Sequence, residues 1–171
     1  MIRHLLALAM TAGLASSALA ADGPPELAKG AKIADFGFHF IDTSTEGAYN
    51  GPREDEAARL ALLDKTLKTE LQDRGYAIVS LDPVRETLEG VTNPAKCNGC
   101  SVDMARALKA DYAVVGEIQK VSNLILSMNL AVRDAGTGET VRALAVDIRG
   151  NTDESWLRGL RYILKNGIFK Q

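Results

Sequence analysis

Two stretches of alternating apolar residues, separated by the glycine-rich turn AGTG at 135–138, constrain this chain more than any other feature. The inward positions of the first stretch are Leu124, Leu126, Met128, Leu130 and Val132, and those of the second are Leu144, Val146 and Ile148. Successive side chains of a strand point to opposite faces, so this alternation on both sides of a turn predicts a β-hairpin. Its apolar face must be covered by other elements of the chain.

Three further segments are predicted to form strands. The segment 32–43 alternates and is rich in aromatic residues, with Ala34, Phe36, Phe38 and Phe40 expected on one side. The segment 76–82 is a short apolar strand that closely follows a helix. The segment 111–122 contains three consecutive apolar residues, which is typical of a strand that is covered on both faces. We expect 112–119 to pair with 33–41 on one side and with the hairpin on the other.

Two segments are predicted to form long amphipathic helices. The first, 54–75, has leucines at spacings of three and four, three acidic residues at its N-terminal end, and Gly75 as its stop. These are Leu60, Leu63, Leu67 and Leu71, with Glu54, Asp55 and Glu56 read as helix N-terminal charge. The second, 151–168, follows Thr152 and carries Trp156 as an anchor in the core. Shorter helices are expected in 83–90 and in 101–110, the latter capped by Ser101.

This order of elements predicts an α/β (α+β) fold with a single domain. A mixed sheet of about five strands, part parallel βαβ unit and part antiparallel meander, would be covered by helices. The domain is expected to occupy 32–171, after a signal peptide at 1–20 and a flexible leader at 21–31.

The N-terminal twenty residues have the three-part pattern of a secretory signal peptide. Arg3 is followed by a weakly polar Leu- and Ala-rich run and by the small-x-small triplet that ends at Ala20. No cysteine follows to accept a lipid, so the expected product has no membrane anchor and is periplasmic. The chain carries 20 Lys and Arg against 22 Asp and Glu without a long basic run, which argues against nucleic acid and anionic membranes as partners.

The only two cysteines, Cys97 and Cys100, form a C-x-x-C pair just before a helical segment. In an oxidising compartment such a pair is normally joined, which favours a structural disulfide. A helix N-terminus can also lower a thiol pKa, so a disulfide exchanger is an alternative. A third hypothesis adds Met104 to the two sulfurs as a soft copper(I) site. Zinc is disfavoured because the only histidine beyond the signal peptide is His39, on a distant strand.

No catalytic residues and no cofactor are predicted. The sequence lacks a nucleophile elbow and a glycine-rich phosphate loop, and a single histidine gives little basis for a Ser-His-Asp triad. If the domain works by association, the longest irregular stretch, the loop 43–53, is the expected binding region. Tyr49 offers ring area and a hydroxyl there, with Asn50 and Arg53 beside it.

The run from 105 to 143 resembles a pattern in the N-terminal domain of TolB and in the periplasmic domain of the curli secretion lipoprotein CsgG. In that pattern a helix ends at Ala-Asp-Tyr, a buried Val-Val-Gly strand follows, and a hairpin turns at Asp-x-x-Thr-Gly-Glu. The matching residues are Ala110, Asp111, Tyr112, Val114, Val115, Gly116, Asp134, Thr137, Gly138 and Glu139. The C-terminal segment SWLRGLRYILKN resembles a small family of exported proteins of unknown function. These resemblances cover roughly 32–166 and imply the fold much more strongly than an activity.

The sequence therefore favours an exported, non-enzymatic module of the cell envelope that binds another envelope protein or a small ligand. A periplasmic thiol-disulfide oxidoreductase that uses Cys97 and Cys100 is the main alternative, and a copper-binding protein is the third.

Overall fold

Five strands form one mixed sheet in the computed structural model, which describes residues 26–170. The strands are β1 (Lys32–Asp42), β2 (Ala77–Ile78), β3 (Tyr112–Ser122), β4 (Ile125–Asp134) and β5 (Thr140–Arg149). Their order across the sheet is β2-β1-β3-β4-β5. β1 is parallel to both of its neighbours, whereas β3, β4 and β5 form an antiparallel meander. This confirms the predicted single domain with a mixed sheet, and it confirms the interior position of β3.

Five α-helices accompany the sheet in the described part of the chain. They are α1 (Thr45–Asn50), α2 (Glu54–Asp73), α3 (Arg85–Glu89), α4 (Cys100–Ala107) and α5 (Asp153–Ile163), with a 3-10 turn at Asp82–Val84 and a π-helical turn at Leu164–Ile168. The hydroxyl of Thr152 accepts a hydrogen bond from the backbone N–H of Ser155 and so caps α5. The predicted helix 151–168 is therefore shorter than expected, because its last turn widens into the π-helical turn.

The main core lies between one face of the sheet and the two long helices α2 and α5. Leu63, Leu67 and Leu71 of α2 are buried against it, and Trp156 of α5 is fully buried. Burying each such side chain contributes about 1.5–3 kcal/mol. The predictions that the α2 leucines face the core and that Trp156 anchors it are confirmed.

The opposite face of the sheet is covered only in part. Near β1 and β3, helix α4 packs small residues into a second cluster that includes Ala34, Ala105 and Ala113. Further along, the same face of β5 is exposed at Ala143 and Ala145.

A β-bulge at Gly37 interrupts the regular alternation that the sequence predicts for β1. Gly37 has a φ of +67°, and the pairing of β1 with β3 shifts between Asp35 and Phe38. A bulge adds one residue to one strand, so the residues on its two sides exchange faces. Phe36 therefore packs with the α4 cluster, whereas Phe38 and Phe40 join the main core. The expectation that all of these residues share one side is wrong.

Three other local expectations are also wrong. The predicted strand 76–82 pairs only at Ala77–Ile78. The predicted loop 43–53 contains the helix α1. Ser101 does not cap α4, because the helix begins one residue earlier, after Gly99 at a φ of +102°. The Ser101 hydroxyl is instead buried without a hydrogen-bond partner.

The signal peptide at 1–20 and most of the leader at 21–31 lie outside the described residues, so they remain predictions. Across 26–170, none of the helices combines the length and the apolar character that a membrane crossing requires.

Candidate partner-binding surface and the cysteine loop

Helix α1 forms because Ser44 caps its N-terminus and Asp42 holds Ser44 in place. The Ser44 hydroxyl accepts a hydrogen bond from the backbone N–H of Gly47 at 3.0 Å, which satisfies a donor at the helix start. Asp42 in turn accepts a hydrogen bond from the backbone N–H of Ser44 at 2.8 Å. This short helix projects Tyr49 into solvent, where the residue is 86% exposed.

Glu46 ties α1 to the turn between β3 and β4. Its carboxylate accepts a hydrogen bond from the Asn123 side-chain amide in that turn, and its other oxygen lies 2.9 Å from the Arg53 guanidinium. Residues three apart on a helix are neighbours on its surface, so Tyr49 lies on the side of α1 that carries Glu46. The contact therefore brings Tyr49 to the same end of the molecule as the β3–β4 turn.

Four large apolar side chains are exposed at this end, and we call them the end patch. They are Tyr49, Val121, Leu124 and Ile125. Val121 and Ile125 lie on the sheet face opposite α2, since their neighbours Lys120 and Leu126 point into the α2 side. Exposed apolar residues that occur singly are ordinary, whereas a group of them is typical of an interaction surface.

A buried network of charges holds the base of the end patch. Lys120 Nζ lies 2.7 Å from Glu56 Oε1, 3.0 Å from Asp42 Oδ2 and 3.7 Å from Glu46 Oε2. Burial of Lys120 lowers its pKa, but the hydrogen bonds that its ammonium donates to Glu56 and Asp42 outweigh this effect and raise the pKa overall. The lysine is therefore charged, and it fixes α1, α2 and β3 relative to one another.

The predicted binding residues are placed as follows. Tyr49 and Asn50 are exposed on the last turn of α1. Arg53 is exposed as well, but its guanidinium is already paired with Asp55 and Glu46. Because both pairs already engage its guanidinium, Arg53 is not a free cation for a partner.

Sequence reasoning missed the other half of the end patch. Leu124 is expected on the inward face of the hairpin, but it is 73% exposed because β4 begins only at Ile125. The expectation for Leu124 is wrong. A signal was present in the sequence, since the β3–β4 turn VSNLI is unusually apolar for a position where turns are normally polar.

Cys97 and Cys100 are joined by a disulfide, with their Cα atoms 5.5 Å apart. Between them, Asn98 and Gly99 both have positive φ values, of 53° and 102°, which fold the chain tightly enough for the sulfurs to meet. Both cysteines are half-buried. The predicted disulfide is thus present in the structure.

The segment that precedes the disulfide is fastened to the partly open face of the sheet. The buried carboxylate of Glu117 lies 2.8 Å from Lys96 Nζ and accepts a hydrogen bond from Asn93 Nδ2 at 2.7 Å. Arg133 adds a hydrogen bond to the backbone carbonyl of Ala95. These contacts hold the loop by polar bonds on the N-terminal side of the disulfide's short ring.

The geometry bears on the two alternative hypotheses for the cysteines. In the disulfide state neither sulfur is a thiolate, and Met104 is buried. Within 26–170, no cluster of three or more His, Cys, Asp or Glu residues has the arrangement of a metal site. The exchange hypothesis has one structural argument, since Cys100 is the first residue of α4.

Solved structures share this fold at low sequence identity. The C-terminal domain of LpoB from Salmonella enterica has a TM-score of 0.54 and 13% identity, over 72% of this chain and 85% of that one. The same domain from Escherichia coli has a TM-score of 0.50 and 18% identity, over 76% and 88%. Lipoprotein GNA1162 from Neisseria meningitidis has a TM-score of 0.50 and 17% identity, over 78% and 93%. Such similarities establish the fold alone.

A comparison with curated proteins gave no match. The expected relation to a family of unknown function with this fold is confirmed, whereas the more specific resemblance to TolB and CsgG is not. A family model described as "Protein of unknown function (DUF2380)" matches residues 31–168, which is most of the chain. The chain therefore belongs to this family, DUF3280.

Proposed function

We propose that this protein is a non-enzymatic accessory module of the bacterial envelope that binds another envelope protein through the end patch. The observation that carries the proposal is the exposure of Tyr49, Val121, Leu124 and Ile125 at one end of the molecule. Their exposure leaves apolar area uncovered that a partner would bury, at about 25 cal/mol per Å².

The composition of the end patch favours a protein partner over a small ligand. Tyrosine and branched aliphatic residues form the central part of many protein interfaces, while charged pairs form the rim. Here Glu46, Arg53 and Asp55, which flank Tyr49 along the chain, form such charged pairs. The buried Lys120 network fixes the base, so little conformational entropy would be lost on binding.

The envelope location is part of the proposal. The signal-peptide pattern at 1–20 predicts export, and the fold is shared with a protein whose name identifies it as a lipoprotein. Fractionation of cells that express the full chain, followed by N-terminal sequencing, tests this part. A mature protein that begins at Ala21 in the periplasm supports it, whereas an unprocessed chain in the cytoplasm contradicts it.

Site-specific photocrosslinking tests the surface. A photoreactive residue at position 49 or 124 is expected to crosslink one discrete envelope protein, whereas the same residue at Tyr162 is not. Tyr162 is a matched control, since it is an exposed aromatic residue on α5, outside the end patch.

Binding by the purified pair then decides the proposal. Tyr49→Ala and Leu124→Ser are each expected to weaken the partner's affinity at least tenfold, because central apolar contacts dominate such interfaces. Tyr162→Ala should leave the affinity unchanged. Equal crosslinking at all three positions, or equal affinity in all three variants, would place the binding surface elsewhere.

A further inference from the structure

An arginine occupies the last inward position of an otherwise apolar row on β5. The row runs through Ile148, Val146 and Leu144, and the strand period of two places Arg142 next on the same face. Arg142 lies opposite Val132 of β4, which belongs to the main core. Only 6% of Arg142 is exposed.

The buried guanidinium of Arg142 has no carboxylate partner within residues 26–170. Its Nε and Nη1 have no hydrogen-bond partner there, and none of the ion pairs formed within 26–170 includes this residue. Arginine stays charged in proteins, and an unpaired buried charge is costly. An apolar residue would complete the row without this cost. The position is therefore suited to an anion that residues 26–170 do not provide.

A cleft of about 740 Å³ opens beside Arg142, and its rim is strongly basic. The cationic residues that line it with Arg142 are Lys29, Arg74, Arg161, Lys165 and Lys170, whereas Glu26 and Glu70 are the acidic lining residues within 26–170. The whole chain has a net charge of −2, so this excess of positive charge is local. Arg74 is already paired with Glu70, which leaves Arg161 and Lys165 outside any ion pair formed within 26–170.

One wall of the cleft is aromatic and apolar. The rings of Tyr76 and Phe169 are stacked at an angle of 15° with their centroids 6.0 Å apart. The Arg74 guanidinium lies 4.3 Å from the centroid of Phe169. Leu164 and Ile168 continue this wall. The cleft thus places an apolar surface next to an unpaired guanidinium.

We propose that this cleft binds a small organic anion, with a carboxylate or phosphate group on Arg142 and an apolar or aromatic body against Tyr76 and Phe169. The planar guanidinium presents paired donors that match both kinds of oxyanion. Cationic side chains at the rim raise the local concentration of such ligands. The site lies at the opposite end of the sheet from the end patch, so it does not depend on the proposed function.

Titration of the purified protein with simple probes tests this site, read out by calorimetry and by two-dimensional NMR. Phenyl phosphate and benzoate are expected to bind with one-to-one stoichiometry and to shift the amide signals of Tyr76, Arg142 and Phe169. Inorganic phosphate is expected to bind at least threefold more weakly than phenyl phosphate, because it lacks the apolar body. Benzamide, which is neutral, is expected not to bind.

Two arginines on the same strand provide a matched pair of variants. Arg142→Met is expected to weaken phenyl phosphate binding at least tenfold, whereas Arg149→Met should not change it. Arg149 lies on the same strand but is exposed and does not line the cleft. Equal affinity in the wild type and in Arg142→Met would overturn the site. Equal binding of benzamide and benzoate would overturn its selectivity for anions.

A second variant keeps the test decisive if Arg142→Met does not fold. Arg161 and Lys165 are exposed at the rim, so the double variant Arg161→Gln/Lys165→Gln should fold normally. It is expected to weaken phenyl phosphate binding about threefold and to reduce the salt dependence of that binding. If neither changes in the double variant, the cleft is not the site of anion binding.

Discussion

Lys120 Nζ lies 2.7 Å from Glu56 Oε1, and the two side chains are 0% and 3% exposed. The same oxygen of Glu56 accepts a hydrogen bond from Asn151 Nδ2 at 2.7 Å, in the segment that connects β5 to α5. Glu56 therefore joins the end of β3 to the start of α2 and to the segment before α5. Glu56 was predicted to act only as helix N-terminal charge, but it has this second role in the interior.

Replacing Lys120 by methionine is expected to destabilise the protein by about 3–5 kcal/mol, because Glu56 would remain buried without its partner. The double variant Lys120→Met/Glu56→Leu should recover most of this loss, since both charges are then removed. Urea unfolding measures both values. Arg158→Gln is the control, because it breaks an exposed pair with Glu154 and should change stability by less than about 1 kcal/mol. Equal effects of Lys120→Met and Arg158→Gln would contradict the prediction.

The free energy of unfolding should decrease as the pH rises from about 4 to about 6, because the pKa values of two carboxyl groups next to the β1 bulge, those of Asp35 and Asp64, are raised. Burial, reinforced by the charge of Asp64, raises the pKa of Asp35 from 3.8 to about 6, and burial also raises the pKa of Asp64 to about 6. A folded-state pKa above the unfolded value means that the folded protein binds more protons between these two values. The contribution to stability is therefore complete below about pH 4 and is lost above about pH 6.

The variants Asp35→Asn and Asp64→Asn should each flatten this pH profile. Each is expected to gain on the order of 1–2 kcal/mol at pH 7 relative to the wild type, with allowance for partial solvent screening. Asparagine keeps an oxygen that can accept the present hydrogen bonds from the backbone N–H groups of Gly37 and Phe38. Thermal unfolding across pH 4–8 measures the profile. Asp73→Asn, an exposed change on the same helix as Asp64, should leave its shape unaltered, and an unchanged profile in the first two variants would refute the argument.

Alanine at Gly37 should cost more stability than alanine at another glycine of similar φ. A Cβ at position 37 would lie 2.9 Å from Oδ1 of Asp64, whereas a Cβ at Gly30 would meet no atom within 4 Å. The two positions have φ values of +67° and +71°, so a conformational cost of about 1–2 kcal/mol is expected at each. The excess cost of Gly37→Ala in urea unfolding measures the contact with Asp64. If the two variants lose the same stability, that contact does not limit the bulge.

The sequence predicted the strands and helices that follow one period over their whole length. β4 and β5 keep a period of two, and α2 keeps its leucines at helical spacing, so side-chain burial alone identifies them. The sequence does not reveal the bulge in β1, because the residues on both sides of Gly37 are phenylalanines. Phe36 and Phe38 lie on opposite faces of the sheet, but the sequence pattern would look the same if they shared one face.

The burial of two charged residues, Lys120 and Arg142, could not be predicted from the sequence for a different reason. Lys120 and Arg142 each occupy an inward position near the end of a strand. In a sequence, a charged residue at such a position usually indicates that the chain has reached the solvent-exposed surface. Only the structure shows that α2 supplies a carboxylate for Lys120, while the described residues supply none for Arg142. Pairing across distant segments depends on tertiary contacts, and the pattern of one strand does not contain that information.

The disulfide between Cys97 and Cys100 should contribute little to global stability. It closes a ring of only four residues, for which the chain-entropy estimate is about 1.9 kcal/mol. The contacts of Glu117 with Lys96 and Asn93 hold the same segment without it. The double variant Cys97→Ser/Cys100→Ser is therefore expected to stay folded, to lose at most about 2 kcal/mol, and to show faster amide exchange at the start of α4.

The reduction potential of this disulfide separates a structural bond from an exchanger. We expect a value below about −300 mV, which is typical of structural disulfides in secreted proteins. The position of Cys100 at the start of α4 acts in the other direction, because a helix N-terminus stabilises a thiolate and so favours the reduced form. Equilibration in redox buffers of defined poise measures which effect is larger. A potential between about −200 and −120 mV, together with reduction of a disulfide-bonded test substrate, would identify a thiol-disulfide oxidoreductase and would overturn the non-enzymatic function proposed for this protein.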